Sequence, residues 1–322
     1  MLKIGEEYPE GHEPVHCAFS ISNSEGGIPL ENIKILNCWV KNYVYGAIPK
    51  LDISKKTRDQ LRAAHEADET GGSVAAEIED RLREDAPKDI SFINVHFINC
   101  HKNGIYVKPY VSKMHFHHGS IVKSGNSAIY LDFGTQKNTI SDSVFEDNGR
   151  YLWEDNTRKT RGGKPPREAI AVDSSAFNVI TGKTFQDNGG GGVFLYKNCF
   201  EHADNPKQFP RFQHSKQNRI ENNRFYNEPV GVHIASRQSR GYKDWIFKEY
   251  MGCGDSVVYE SGLPLFKTKY FRDYAEDNDV IGNHFYKNKK AVIVEDDGAE
   301  IRETSSSKAP PSAFTSEAGS GG

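Results

Sequence analysis

What the chain has little of narrows the reading first. Among 322 residues only three are Met, three Trp and five Cys. No apolar run approaches the ~18 residues that suggest a membrane span. Apolar residues make up 36% and the mean hydropathy is −0.67, which suits a thin core wrapped in a polar exterior. The formal charge is −3, and no long Lys/Arg cluster interrupts it, which argues against nucleic acid as the main partner. The amino-terminal MLKIGEEYPEG has neither the charged nor the apolar region of a secretory leader. The protein is therefore expected in the cytoplasm, or secreted or periplasmic if a leader has been removed. A leucine-rich-repeat consensus, a WD dipeptide and a helical-pair pattern are all missing. Five cysteines is an odd count. The tripeptides LNC (Cys38) and INC (Cys100) predict stacked, buried free thiols, with Cys17 similar. Cys199 and Cys253, in two long loops, are the one pair to consider for a disulfide.

What is present is a repeat. Residues 167–237 read strand, turn, Asn-x-Ile strand, Phe strand, Asn/Gly turn, and the same order recurs at 89–107, 115–131, 138–149 and 278–294. Phe97, Ile121 and Phe145 are 24 residues apart, and Phe185, Phe225 and Phe285 follow after 40, 40 and 60. These intervals predict a coil of about 24 residues carrying insertions of about 16, 16 and 36, within the range of solenoid repeats. Short alternating runs, Gly/Asn turns and few helix signals predict an all-β, right-handed parallel β-helix.

The repeat sets the expected organisation. Residues 1–50 hold the first coils, and 88–303 hold the main β-helix with long loops at 150–166, 198–216 and 238–277. Residues 51–87 break the pattern as a helical hairpin, capped by Ser54 and Ser73 and docking through Leu61, Val74, Ile78 and Leu82. The low-complexity tail 304–322 is expected to be disordered.

Stacking the strands after each turn sends Ile105/Val107, Ile129/Leu131, Ile170/Val172, Val193/Leu195, Val232/Ile234 and Val292/Val294 inward. The alternate positions are then expected to face solvent in two columns. One is Tyr106, Tyr130, Ala171, Phe194, His233, Ile293. The other is Lys108, Asp132, Asp173, Tyr196, Ala235, Glu295. Lys197 and Arg237 follow at strand ends. A face that is aromatic, acidic and cationic, walled by loops, suits an acidic polysaccharide. Tyr130, Asp132, Arg167, Glu168, Asp173, Phe194, His214 and Lys216 are the expected substrate contacts.

Two chemistries fit this face. β-Elimination from a uronic acid needs a cation at the C6 carboxylate, a base for the C5 proton and a donor for O4. Lys197 with Tyr196 would supply the base and Arg237 the charge and the donor, with His233 beside them. Hydrolysis would use Asp132 and Asp173 as a carboxyl pair, which neighbouring coils would set near the ~5–5.5 Å of a retaining pair. The same two Asp could instead hold Ca²⁺, the one cofactor considered; none is required. A non-catalytic polysaccharide-binding module is a third reading, and the chain is expected to act as a monomer.

The coils of form Asn-x-Ile-x-x-Asn-x-Phe, with REAIAVDSS, GGVFLYKNC, GVHIASR and AVIVEDDG, resemble the parallel β-helix carbohydrate-active proteins. These are the pectate-lyase-like superfamily, with alginate lyases, chondroitinase-B-like lyases and mannuronan C5-epimerases. The resemblance covers Asp89–Ile301. It implies a Lys base and an Arg acting from neighbouring coils at strand ends, a placement that Lys197 and Arg237 match, with Lys216 as rival for the Lys. The epimerase's Asp-Pro-His-Asp and the polygalacturonase-type Gly-His-Gly are absent, which weakens those two readings. The expected function is a polysaccharide lyase acting on an alginate-like uronate polymer.

Overall fold

The computed structural model describes residues 16–67, 73–154, 157–198, 211–235, 242–243, 257–261, 268–271, 274–295, 300–302 and 305–307. Arg237 and the Cys199–Cys253 pair fall outside them. The chain winds into a right-handed parallel β-helix. One sheet stacks eight strands in the order Cys17–Ser24, Tyr45–Asp52, Ile105–Val107, Ile129–Leu131, Glu168–Asp173, Gly191–Tyr196, Val230–Ile234 and Lys290–Val294. The second, of 14 strands, carries the Asn-x-Ile and Phe strands of each coil. Ser305–Ser307, which composition assigned to a disordered tail, pair in parallel with His284–Tyr286 as one more rung.

Three left-handed backbone residues per coil, five positions apart, bend the chain around the second sheet. Examples are Lys137, Asp142 and Asp147, then Gln217, Asn222 and Asn227, with φ between 48° and 56°. Asn and Asp are the non-glycine residues that visit this region most readily, which is why turn after turn reads Asn or Asp. The residue after each corner points inward, and there the polar core lies. Asn138, Asn178, Asn218 and Asn278 form one ladder, each Nδ2 donating to the next Oδ1 at 2.7–2.9 Å. Ser143, Lys183, Asn223 and Asn283 occupy a second ladder, and Asn148, Asn188, Glu228 and Asn288 a third. Each asparagine rung also takes a backbone N–H of the preceding coil, so the corners that face one keep their donors satisfied.

Between the ladders lies the apolar core. Ile105, Val107, Ile129, Leu131, Ile170, Val172, Val193, Leu195, Val232 and Ile234 are fully buried, as expected. Phe145, Phe185, Phe225 and Phe285 stack with centroids 5.3, 4.6 and 4.9 Å apart, close to the strand spacing itself. Phe97, Ile121 and Phe145 share this column in register. A Cβ on Gly192 would collide with the Phe225 ring, so the glycine run there lets the first sheet close onto the stack. Val292 and Val294, expected inside, are half-buried and 39% exposed, because their strand is the last of its sheet.

Two helices, α1 (Lys55–Ala67) and α2 (Ser73–Asp85), form the inserted hairpin. Ser54 Oγ accepts from Thr57 N at 3.1 Å, the N-cap that starts α1. Leu61 and Leu82 are fully buried with Ala75, Tyr110 and part of Ile78. Val74 does not join them; it is 58% exposed, one position off the face that Ala75 occupies. The paired-thiol reading also shifts. The register sets Cys38 against Val95, and Asn99 meets Asn42 rather than Asn37. LNC and INC therefore stand at successive corners, and among the described cysteines only Cys100 is buried.

Two outcomes follow. Phe185→Ala should cost about 3–5 kcal/mol in chemical denaturation, as a cavity in the middle of a stack cannot collapse. Lys183, 1% exposed, has no hydrogen-bond partner for Nζ. Burial lowers its pKa from 10.5 to about 6, with Asp142 opposing. The unfolded amine thus binds a proton that the native amine lacks between those values, so stability rises with pH across that window. Lys183→Asn, restoring the ladder residue, should stabilise by about 1–3 kcal/mol. The gain should be largest at and below pH 6 and fade towards pH 10.5.

Candidate functional site

The site is built on the outer face of the eight-stranded sheet. The register aligns Tyr106, Tyr130, Ala171, Phe194, His233 and Ile293 as one column. Asp173 stands beside Tyr196 in the next. The columns are those expected from the alternation, but their exposure is not. Asp132 is 4%, Asp173 0%, Glu168 4% and Tyr196 6% exposed. The physical reason is the second long loop, whose returning end lies on the sheet and inserts Arg211 between the acids.

Arg211, itself 7% exposed, organises what it covers. Its Nη2 donates to Asp132 Oδ1 at 2.9 Å, its Nε lies 3.4 Å from Asp173 Oδ2, and its Nη1 donates to Asn198 O at 3.0 Å. Its guanidinium also rests over the Phe133 ring. Burial opposes the charge, but Asp173 and Asp132 outweigh it and raise the Arg211 pKa well above its ordinary value. Each acid accepts a tyrosine from the coil before it. Tyr106 Oη donates to Asp132 Oδ2 at 2.7 Å and Tyr130 Oη to Asp173 Oδ2 at 2.6 Å. Burial first, then the partner carboxylate, pushes both phenols far up and keeps them protonated. The remaining lone pairs of Asp173 are used by Ser174 Oγ and Asn198 N. Tyr196 and Arg167 converge in the same way on Glu168, at 3.0 and 3.2 Å.

Above this floor opens a cleft of about 500 Å³. Its aromatic lining is Tyr45, Tyr106, Tyr130 and Phe133, and its charged lining is Lys102, Arg161, Arg167, Arg211 and Asp132. The strand pair Tyr151–Glu154 and Thr157–Thr160 stands at one side, anchored by Trp153 on His101 and on the Lys123 carbonyl. It delivers Arg161, whose Nη1 donates to Gly125 O at 2.6 Å. Burial and then the nearby Arg167 lower the Arg161 pKa, so two cations share one rim.

The other expected site residues lie elsewhere. Lys197 follows its strand but is fully buried, which takes it away from any ligand in the cleft. His233 faces Glu295 at 3.4 Å and the edge of Phe194, three coils along the sheet from Tyr130. His214 Nδ1 is occupied by the Tyr274 carbonyl at 2.7 Å, and Lys216 sits at the corner before Gln217, where its carbonyl accepts from Phe177 N. Asp132 and Asp173 offer no open cradle for Ca²⁺, because Arg211 already lies against both. Among the described residues no group of three or more His, Cys, Asp or Glu is arranged for a metal, and no helix is long and apolar enough to cross a membrane. Lys102, Arg161 and Arg211 were not in the expected set. The basic character of residues 150–166 hinted at Arg161, but nothing local marks Arg211, whose role depends on where its loop returns.

No curated protein matches this chain. Among solved structures, the catalytic domain of a GH87 alpha-1,3-glucanase variant in complex with tetrasaccharides is similar at 8% identity and a TM-score of 0.36. The similarity covers 85% of this chain and 49% of that one, so the chain spans about half the length of that domain. A family model described as right handed beta helix region matches residues 82–265. That span is more than half of the sequence and holds most of the left-handed corners and ladder rungs and the strands of Tyr106, Tyr130 and Glu168, and the chain belongs to the right-handed β-helix family.

Proposed function

We propose that this protein is a carbohydrate-active β-helix whose cleft takes a stretch of uronate-bearing, alginate-like polysaccharide and cleaves it by β-elimination. One observation carries the reading: three cations, Lys102, Arg161 and Arg167, border the tyrosine-lined cleft, while its acids are turned onto Arg211 beneath. Such a lining attracts carboxylates, and Tyr45, Tyr106 and Tyr130 offer ring faces to pyranose rings. Arg161 and Arg167 pair with the C6 carboxylate, which stabilises the charge that develops as the C5 proton leaves. Tyr106 bridges Asp132 and the cleft, so it is the proton-transfer group. Its oxygen takes the C5 proton as its own passes to Asp132, and the reverse movement hands a proton to O4. The C5–H electrons form the C4–C5 double bond, and the C4–O4 bond breaks. Arg167 and Tyr130 keep their expected substrate roles, and Glu168 and Asp173 hold those side chains in place.

This assignment moves the base away from Lys197, whose burial leaves it no path to a C5 proton. Hydrolysis by Asp132 and Asp173 has less support, since Arg211 and the tyrosines engage both acids. Incubation with a panel of uronate polymers should give products with the ultraviolet absorbance of the C4–C5 unsaturated ring. Tyr106→Phe should lower turnover by about 10²–10⁴-fold with polymer binding retained. Arg167→Ala should weaken binding, and binding should fall as salt rises. Reducing ends without unsaturated product would mean hydrolysis, and binding without cleavage a lectin-like module; either would overturn the elimination.

A further inference from the structure

The third ladder contains a chemical substitution that its neighbours interpret. In the rungs at Asn148 and Asn188, Nδ2 uses both hydrogens. Asn148 donates to Asn188 Oδ1 on the next coil and to Ile121 O on the preceding one. Asn188 donates to Glu228 Oε1 on the next coil and to Phe145 O on the preceding one. Asn288 donates to Phe225 O. Glu228 stands where the next asparagine would. Its Oε1 accepts from Asn188 Nδ2 at 2.8 Å and Asn188 N at 3.3 Å, as an asparagine Oδ1 does. Its backbone N–H donates to Asn288 Oδ1 at 2.7 Å, again as an asparagine's would. Its Oε2 therefore takes the place of the amide nitrogen. By the pattern of the rungs on either side, the atoms that receive hydrogens there are the Phe185 carbonyl and Asn288 Oδ1, both acceptors. The residue is 1% exposed and Oε2 has no hydrogen-bond partner.

We infer that Glu228 is held as the neutral acid, its Oε2–H replacing an amide hydrogen, so that this rung of the solenoid is closed by a bound proton. An ionised Oε2 would present a full charge to acceptors alone, in a place water does not reach. The surrounding charges do not compensate it. Asp187, on the preceding coil, adds like charge, and Arg150 is turned to Asp147 and to the Asp187 carbonyl. Lys287 and Lys289, on the following coil, are exposed. Burial, the largest cause, raises the Glu228 pKa from 4.5 to about 8.

The sign of the pH effect follows. The native state keeps a proton that the unfolded chain releases above pH 4.5. The stabilisation is thus complete below pH 4.5, declines as pH rises and is gone beyond about pH 8. The coil concerned ends in the strand Val230–Ile234, which pairs in parallel with the strand that carries Tyr196.

The test compares thermal and chemical unfolding of the whole protein with Glu228→Gln, which supplies the amide, from pH 4 to pH 10. The unfolding constant of the unaltered protein relative to Glu228→Gln should rise up to tenfold per pH unit between about 4.5 and 8, then level off. Glu228→Asn, the residue of the neighbouring rungs, serves in the same way if the longer amide packs badly. Infrared spectra of the unaltered protein at pH 7 should show a protonated carboxyl stretch that fades near pH 8 and is missing from the variants. Absence of that band at pH 7, or a stability gap to both variants that stays constant across the window, would overturn the inference.

Discussion

Parallel pairing of each coil with the next, at about 4.8 Å, is the constraint on which the rest depends. It is maintained by corners rather than by a central globule. A left-handed residue every fifth position turns the chain, and the inward residue after it hydrogen-bonds to its counterpart one coil on. Because the rung is both donor and acceptor, one asparagine satisfies itself and a backbone N–H, and the ladder extends without end groups inside the core. This explains how insertions of very different length are tolerated. They leave between strands, and the register of Phe145, Phe185, Phe225 and Phe285 continues undisturbed.

The same register creates the site, and a loop then changes its character. Two columns of polar side chains on a solvated sheet would be a solvated surface. Arg211 lies across them with burial near complete, so the acids become the floor of the cleft and the cations its rim. Buried charges of this kind are tolerated only when paired and hydrogen-bonded, and here every acid has both an arginine and a tyrosine. The helical hairpin is part of this arrangement. Phe212, next to Arg211, stacks on His65 of α1 at 3.4 Å, and Gln213 is held by the Thr135 and Ser174 carbonyls. Arg83 of α2 donates to Gly134 O at 2.6 Å. An insertion between early coils thereby supports a cleft formed by later ones.

How much was legible differs between fold and site. The repeated Asn-x-Ile and Phe segments carried the architecture, because period-two alternation and left-handed corners are local properties that each coil states again. Column membership was legible for the same reason: alternation sends Ile129 in and Tyr130 out whatever the rest of the chain does. The two cysteine tripeptides misled because similar words occur at successive corners, and only pairing distinguishes Asn37 from Asn42. Val74 misled by one helical position, which periodicity over a short helix does not resolve.

The sequence by itself determined the solenoid, the core column and the identity of the outward residues, since these follow from conformational preference and side-chain alternation within about 24 residues. Tertiary structure alone decided which outward residues meet a ligand. Lys197 is buried, Asp132 and Asp173 share Arg211, and Arg161 crosses to the rim beside Arg167, all through loop returns that span from about ten to about eighty residues. Where a loop lands depends on charges and rings on coils distant in sequence, and no local pattern records that.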